Sequence, residues 1–133
     1  MTYVLDTNII TVILKENEKV KERVQEYILE GKKISINSVS YYEIKRGLLY
    51  KNALTQLKKF DALCRQFGVI SLDSLDIFDR AAEIYADLQR RGELIKDADI
   101  LIASVVSFRN FILVSNDTDF NRIQELKIEN WLN

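Results

Sequence analysis

Short apolar segments of strand length alternate with amphipathic segments of helix length along this chain. That order predicts an α/β fold on a mainly parallel sheet of four to five strands, covered on both faces. Three observations carry the expectation. Apolar runs recur at about 2–5, 33–36, 69–72 and 111–114, with a fifth at an edge over Lys127–Glu129. Between them, apolar residues repeat at the three-and-four spacing of helices facing a core. Gly31, Gly68 and Gly92 close helical segments, as glycine commonly does at helix C-termini.

The elements follow in order. After the first strand, Ile9-Ile10-Thr11-Val12-Ile13-Leu14 reads as a short buried helix starting near Asn8. Val20, Val24, Tyr27 and Ile28 mark the next helix, with Gly31 as its cap. Lys33 to Ile36 is the second strand, and Ser38 is placed to cap a helix running to about Tyr50. Leu57, Phe60, Cys64 and Phe67 give the following helix its apolar face, and Val69 to Leu72 the third strand. A long helix buries Ile77, Ala81, Ile84, Tyr85 and Leu88, then stops before Gly92. A loop to Lys96 precedes a helix from about Asp97 to Phe108, and Phe111 to Val114 forms the fourth strand. No proline, repeat or low-complexity tract interrupts the pattern, so one domain is expected over 1–133.

Composition narrows the chemistry. A chain of 133 residues, 47% hydrophobic and 29% charged, matches an ordinary soluble domain with an adequate core. No apolar run approaches the roughly 20 residues that span a bilayer, and the early first strand argues against a signal peptide. The single Cys64 cannot form an internal disulfide, which suits a reducing cytoplasm. The net charge of −1 and pI near 5.6 give no bulk sign of a nucleic-acid binder. Local basic pairs remain at Lys45-Arg46, Lys58-Lys59 and Arg90-Arg91, the second reading as solvated helix surface. With no histidine, zinc sites and imidazole-based nucleophilic mechanisms are disfavoured. Oxygen-only ligation points instead to magnesium or manganese.

Four acids stand at element edges: Asp6, Glu43, Asp99 and Asp117. Asp6 ends the first strand, where it serves either as a helix cap or as a site residue, with Thr7 and Asn8 placed to orient it. Glu43 alone reads as a solvent-facing glutamate paired with Arg46, although Tyr41, Tyr42 and Ile44 flank it. Asp99 shares a helix face with Ile102, Ala103 and Val106. A carboxylate on that stripe needs a partner, because an unpaired buried charge costs several kcal/mol. Capping of this helix is assigned to Asp97 and ligation to Asp99. Asp117 and Asp119 follow the fourth strand in Ser115-Asn116-Asp117-Thr118-Asp119-Phe120, where either can simply close a turn. None is specific singly. Together they are expected at one end of a parallel sheet, where sites form beyond the strands' carboxyl ends and only a cation relieves their repulsion.

On these residues the chain resembles the PIN-domain ribonucleases, and among them the VapC-type toxins of bacterial and archaeal toxin–antitoxin pairs. The resemblance runs over nearly the whole length. It rests on Val4-Leu5-Asp6-Thr7-Asn8, Ser38-Val39-Ser40 leading to Glu43, Gly92 with Ile95, Asp99-Ile100-Leu101-Ile102-Ala103, and Leu113 to Phe120. It implies a three-layer α/β/α PIN-like fold and a metal site of Asp6, Glu43, Asp99 and Asp117. Ser115 and Asn8 have supporting roles, and Asp119 either joins the site or fixes its loop. It further implies a Mg2+-dependent (or Mn2+-dependent) endoribonuclease toxin acting on structured transfer or ribosomal RNA. Such toxins are homodimers silenced in hetero-oligomers by a cognate antitoxin, whose segment would suit the tyrosine-rich surface at Tyr41, Tyr42 and Tyr50. Packing within the core or a dimer is the other use of those tyrosines. Asn116 stands where many relatives carry a basic residue, leaving RNA affinity to Lys45, Arg46, Lys96 or Arg122.

Two other classes compete. A magnesium-binding receiver domain needs a lysine at the end of a late strand, and Val114-Ser115-Asn116 offers none. A PIN-like adaptor without activity would bind RNA or protein yet have no need of all four acids.

Overall fold

The computed structural model describes residues 1–133. Its sheet is wholly parallel, in the order β3-β2-β1-β4-β5. The strands are β1 (Thr2–Leu5), β2 (Lys33–Asn37), β3 (Val69–Ile70), β4 (Ile112–Val114) and β5 (Ile128–Glu129). The helices are α1 (Thr7–Leu14), α2 (Glu18–Leu29), α3 (Ser38–Tyr50), α4 (Leu54–Phe67), α5 (Leu75–Arg91) and α6 (Asp97–Phe108).

The strands read as unbroken apolar runs because both faces are covered. Tyr3 and Leu5 face one way, into a core with Ile9, Ile10, Val24, Phe60 and Trp131 from α1, α2, α4 and the C-terminus. Val4 faces the other, into a core with Ile77, Leu88, Ile102 and Val106 from α5 and α6. The result is the three-layer α/β/α arrangement expected.

Several boundaries shift for local reasons. Helix α1 opens at Thr7, one residue before Asn8, because Asp6 already caps it. Asn37, not Ser38, caps α3: its backbone is still extended and its Oδ1 accepts from Ser40 N–H at 2.8 Å. The third strand is cut to Val69–Ile70 at the sheet edge, and the fourth begins at Ile112. Tyr85 and Ile28, expected in the core, are each 44% exposed, at the margins of their helices' apolar stripes. Gly92 terminates α5 in the left-handed region at φ 69°, a conformation costly for residues with a Cβ.

Candidate metal centre

Strand register builds the site. Leu5 pairs with Ile36 on one side and Val114 on the other, so Asp6, Asn37 and Ser115 form one row at the carboxyl edge of the sheet. The chain crosses from β1 outward to β2 and β3, then returns to lay β4 on the opposite flank of β1. Such a reversal opens a crevice at the strand ends.

Asp6 is buried at 3% exposure and has both roles that the sequence left as alternatives. Its Oδ1 accepts the Thr7 N–H at 2.7 Å, capping α1, while Oδ2 accepts the Ser115 hydroxyl at 2.8 Å. Burial raises its pKa; the Ser115 and Thr7 hydrogen bonds oppose the rise, and the charges of Asp117 and Glu43 add to it.

Asp99 lies in the first turn of α6, where the helix dipole favours a carboxylate. The cap position belongs to Lys96, whose carbonyl accepts the Ile100 N–H, and Lys96 supplies no side-chain cap. Asp97 is exposed inside the helix and does not cap it, because the extended backbone ends one residue earlier than expected. Ile102, Ala103 and Val106 are fully buried beneath Asp99, as its spacing required. Burial, then the charges of Asp6, Asp117 and Glu43, push the Asp99 carboxyl up to about 6, with Lys96 opposing.

Glu43 accepts the Thr7 hydroxyl at 2.8 Å. It forms no pair with Arg46, whose guanidinium lies 4.9 Å from the Tyr42 ring centroid. Asp117 caps the short 3-10 turn Thr118–Arg122 through the Asp119 N–H at 2.9 Å, and its own N–H donates to Ser115 Oγ at 3.0 Å. Asp119 both fixes this loop and faces the cluster: Asp99, Asp117 and Asp119 each present an oxygen within 4.8 Å of the others. It also pairs with Arg122 at 3.4 Å. Asn8 is exposed and makes no hydrogen bond to these carboxylates.

Asn37, which the sequence did not single out, and Ser40, which it gave no role beyond the motif leading to Glu43, are both fully buried and hydrogen-bonded to each other beside Glu43. The available signal was an asparagine ending an apolar strand three residues before a serine, the spacing of a cap. Thr7 was expected to support Asp6, which its N–H does; its hydroxyl goes to Glu43.

Two clefts border the cluster at Glu43. One, about 450 Å³, is lined by Val39, Tyr42, Arg46, Phe78 and Leu101. The other, about 380 Å³, runs along α1, α3 and α4 past Leu14, Ile44 and Leu48. A third, between α5 and Ile123–Glu125, shares no residue with the acids. Of the basic residues near the acids in sequence, Lys45 is paired with Asp61 at 3.0 Å and Arg122 with Asp119. Arg46 and Lys96 form no ion pair. Tyr41 packs against Phe60, whereas Tyr42 and Tyr50 are exposed.

The donor set is all oxygen, crowded with like charge and partly desolvated. Hard divalent cations are held by such sets, so the residues present fit one. The PIN domain family model matches residues 3–126. The tRNA(fMet)-specific endonuclease VapC of Shigella flexneri is 31% identical, with 98% of each chain covered. Ribonuclease VapC2 of Rickettsia felis is 29% identical over 98% of each. Among solved structures, VapBC2 from Rickettsia felis bound to a promoter DNA fragment superposes with a TM-score of 0.91 at 28% identity, covering 98% of this chain and 99% of that one. DNA-bound VapBC from Salmonella typhimurium gives 0.90 at 25% identity over 98% of each chain. With its acids gathered at the strand ends and its length matched from end to end, this chain belongs to the PIN-domain family, among the VapC ribonucleases.

Proposed function

We propose that this protein is the toxin of a type II toxin–antitoxin pair, a Mg2+-dependent endoribonuclease that cleaves structured RNA of the tRNA or rRNA class. The observation that carries the reading is the gathering of acids from separate elements at one end of the sheet. There Asp99, Asp117 and Asp119 present oxygens within 4.8 Å of one another, and Asp6 and Glu43 add their charges beside Asp99. Capping accounts for Asp6 and Asp117 singly, but a cation is what offsets the repulsion of the acids together.

Asp6, Glu43, Asp99 and Asp117 are the metal-holding and catalytic acids, with Asp119 as a further ligand. When bound, the cation offsets charge on the scissile phosphodiester and eases deprotonation of the attacking water. The chain's own residues do the positioning. Ser115 holds Asp6 from one side and the Asp117 backbone from the other, locking β1 and β4 ends together. Arg46 and Lys96 attract the RNA backbone in an otherwise acidic protein. The named tRNA specificity of the Shigella flexneri relative supports the substrate class.

The solved neighbours that are VapBC complexes support a cognate antitoxin. An antitoxin segment fits the cleft along α1, α3 and α4, whose apolar floor leads directly to Glu43. The toxin acts in the cytoplasm as a homodimer and is stored as a toxin–antitoxin hetero-oligomer; no helix is long and apolar enough to cross a membrane.

The test is incubation of purified protein with total cellular RNA, with Mg2+ or with EDTA, followed by mapping of new ends. Discrete cleavage only with Mg2+, lost in Asp6→Asn, is expected. Intact RNA under all conditions, with the fold verified, would refute the reading in favour of an inactive adaptor.

A further inference from the structure

Glu43 differs from the other acids in how it is held. The Asp6 and Asp117 carboxylates receive the backbone N–H groups of Thr7 and Asp119 close to the strand ends. Glu43 lies past the first turn of α3, where backbone amides are committed to the helix, so its carboxylate needs side-chain donors. Thr7 Oγ1 is 2.8 Å from Glu43 Oε1 and 2.8 Å from Ser40 Oγ, and Ser40 Oγ is 3.0 Å from Asn37 Nδ2.

With an acceptor-only carboxylate at its Glu43 end, the proton count along this path has one solution. Asn37 Oδ1 accepts the Ser40 N–H at 2.8 Å, and Asn37 Nδ2 donates to the Leu5 carbonyl at 3.1 Å. The reversed amide would set N–H against N–H and oxygen against oxygen, so the orientation is fixed by its partners. Nδ2 therefore donates its second hydrogen to Ser40 Oγ. Ser40 has one proton left to give, and it goes to Thr7 Oγ1. Thr7 in turn gives its single proton to Glu43 Oε1.

We infer that Asn37 and Ser40, acting through Thr7, form a one-directional hydrogen-bond chain that positions Glu43 to bind the cation. The chain starts on a buried β2 amide, anchored to the β1 carbonyl one residue before Asp6, and ends on a partly exposed carboxylate. Thr7 serves two acids at once, its N–H on Asp6 and its hydroxyl on Glu43, so it fixes their separation. Asn37, Ser40 and Thr7 are positioning residues: none of them needs to touch metal or RNA. The inference rests on the metal-centre reading above and names the part of the fold that holds Glu43 in it.

The experiment is calorimetric titration of the full chain with Mn2+ alone, for wild type, Thr7→Val, Thr7→Ser and Ser40→Ala. Each protein is checked by circular dichroism and by melting in EDTA. Loss of an outer hydrogen-bond partner typically weakens metal sites ~10- to 100-fold. Thr7→Val and Ser40→Ala should bind Mn2+ roughly 10-fold more weakly, while Thr7→Ser, which keeps the hydroxyl, stays within about 2-fold of wild type. In RNA cleavage, the half-saturating Mn2+ concentration should rise by the same factor, with KM for RNA at saturating metal unchanged.

A merely structural role would lower the melting temperature and leave Mn2+ affinity alone, and that result overturns the inference. If Ser40→Ala does not fold, Thr7→Val at its partly exposed position decides the matter alone. Mn2+ binding by a wild type that cuts no RNA would remove the nuclease reading while leaving the affinity shifts as support. A wild type that binds no Mn2+ would sink both.

Discussion

Replacing Asp99 with asparagine should make the metal-free protein more stable at neutral pH. The carboxyl is carried from 3.8 to about 6 in the fold, chiefly by burial and then by Asp6, Asp117 and Glu43. At ~1.36 kcal/mol per pH unit, full expression of that change is about 3 kcal/mol. Asp99 is only half-buried, and screening by solvent reduces the effect to ~1–2 kcal/mol. The sign follows from the direction. A carboxyl raised by folding is neutral in both states below pH 3.8, so there it costs nothing. Stability then falls as pH climbs toward about 6, and the deficit stays constant above that. Asp6, also raised, acts in the same direction.

The assay is thermal unfolding in EDTA at pH 4 and pH 7.5 for wild type and Asp99→Asn. The difference between the two proteins cancels the titrating groups remote from Asp99 and leaves its own ionisation together with its coupling to Asp6, Asp117 and Glu43. It should widen in favour of the variant by ~3–6 °C at the higher pH, given a few degrees per kcal/mol for a chain of this size. Excess Mg2+ should reverse the order, because a ligand at a hundredfold over its Kd adds ~2.7 kcal/mol to the protein that binds it. A pH-independent difference in EDTA, or equal gains from Mg2+ in both proteins, would refute Asp99 as a crowded metal ligand.

Further expectations test other parts of the site and fold. Asp6→Asn should lower RNA cleavage by at least ~100-fold, since loss even of an outer partner reaches that size; activity near wild type would remove Asp6 from the site. Ser115→Ala strips a donor from buried Asp6 and an acceptor from the Asp117 N–H, costing ~1–3 kcal/mol in urea unfolding. Ser115→Thr keeps the hydroxyl and should recover most of that. Phe60→Ala empties a fully buried position between α4 and the sheet and should cost ~3–5 kcal/mol, detected as a lower urea midpoint with an unchanged slope.

The layers and the parallel sheet were legible because burial on both faces leaves continuous apolar runs, and because helical stripes such as Ile77-Ala81-Ile84-Leu88 are hard to mistake. Boundaries were less legible. Whether Asn37 or Ser38 caps α3 depends on where the β2 backbone stops being extended, and both residue types cap well. The start of α6 at Asp97 was legible, but its cap was not: it falls on Lys96, which supplies no side-chain hydrogen bond. The four acids were legible as edge residues, but their support was not. Thr7, Ser40 and Asn37 are common polar residues, and only strand register brings them together. Glu43, the weakest of the four by sequence, is the one held entirely through such a long-range path.

Topology explains why residues so distant in sequence meet. In a wholly parallel sheet every strand delivers its following residue to one edge, so Asp6, Asn37 and Ser115 arrive together whatever lies between them. The return of β4 beside β1 joins Ser115 to Asp6 across 109 positions, and α6 then needs only its first turn at that edge to add Asp99. Loop lengths can vary without moving this row. Register cannot: a one-residue slip of β4 against β1 would turn Val114 out of one core and Leu113 out of the other. The buried strands that stabilise the fold therefore also fix the spacing of the carboxylates, which the repulsion among those acids would otherwise spread apart.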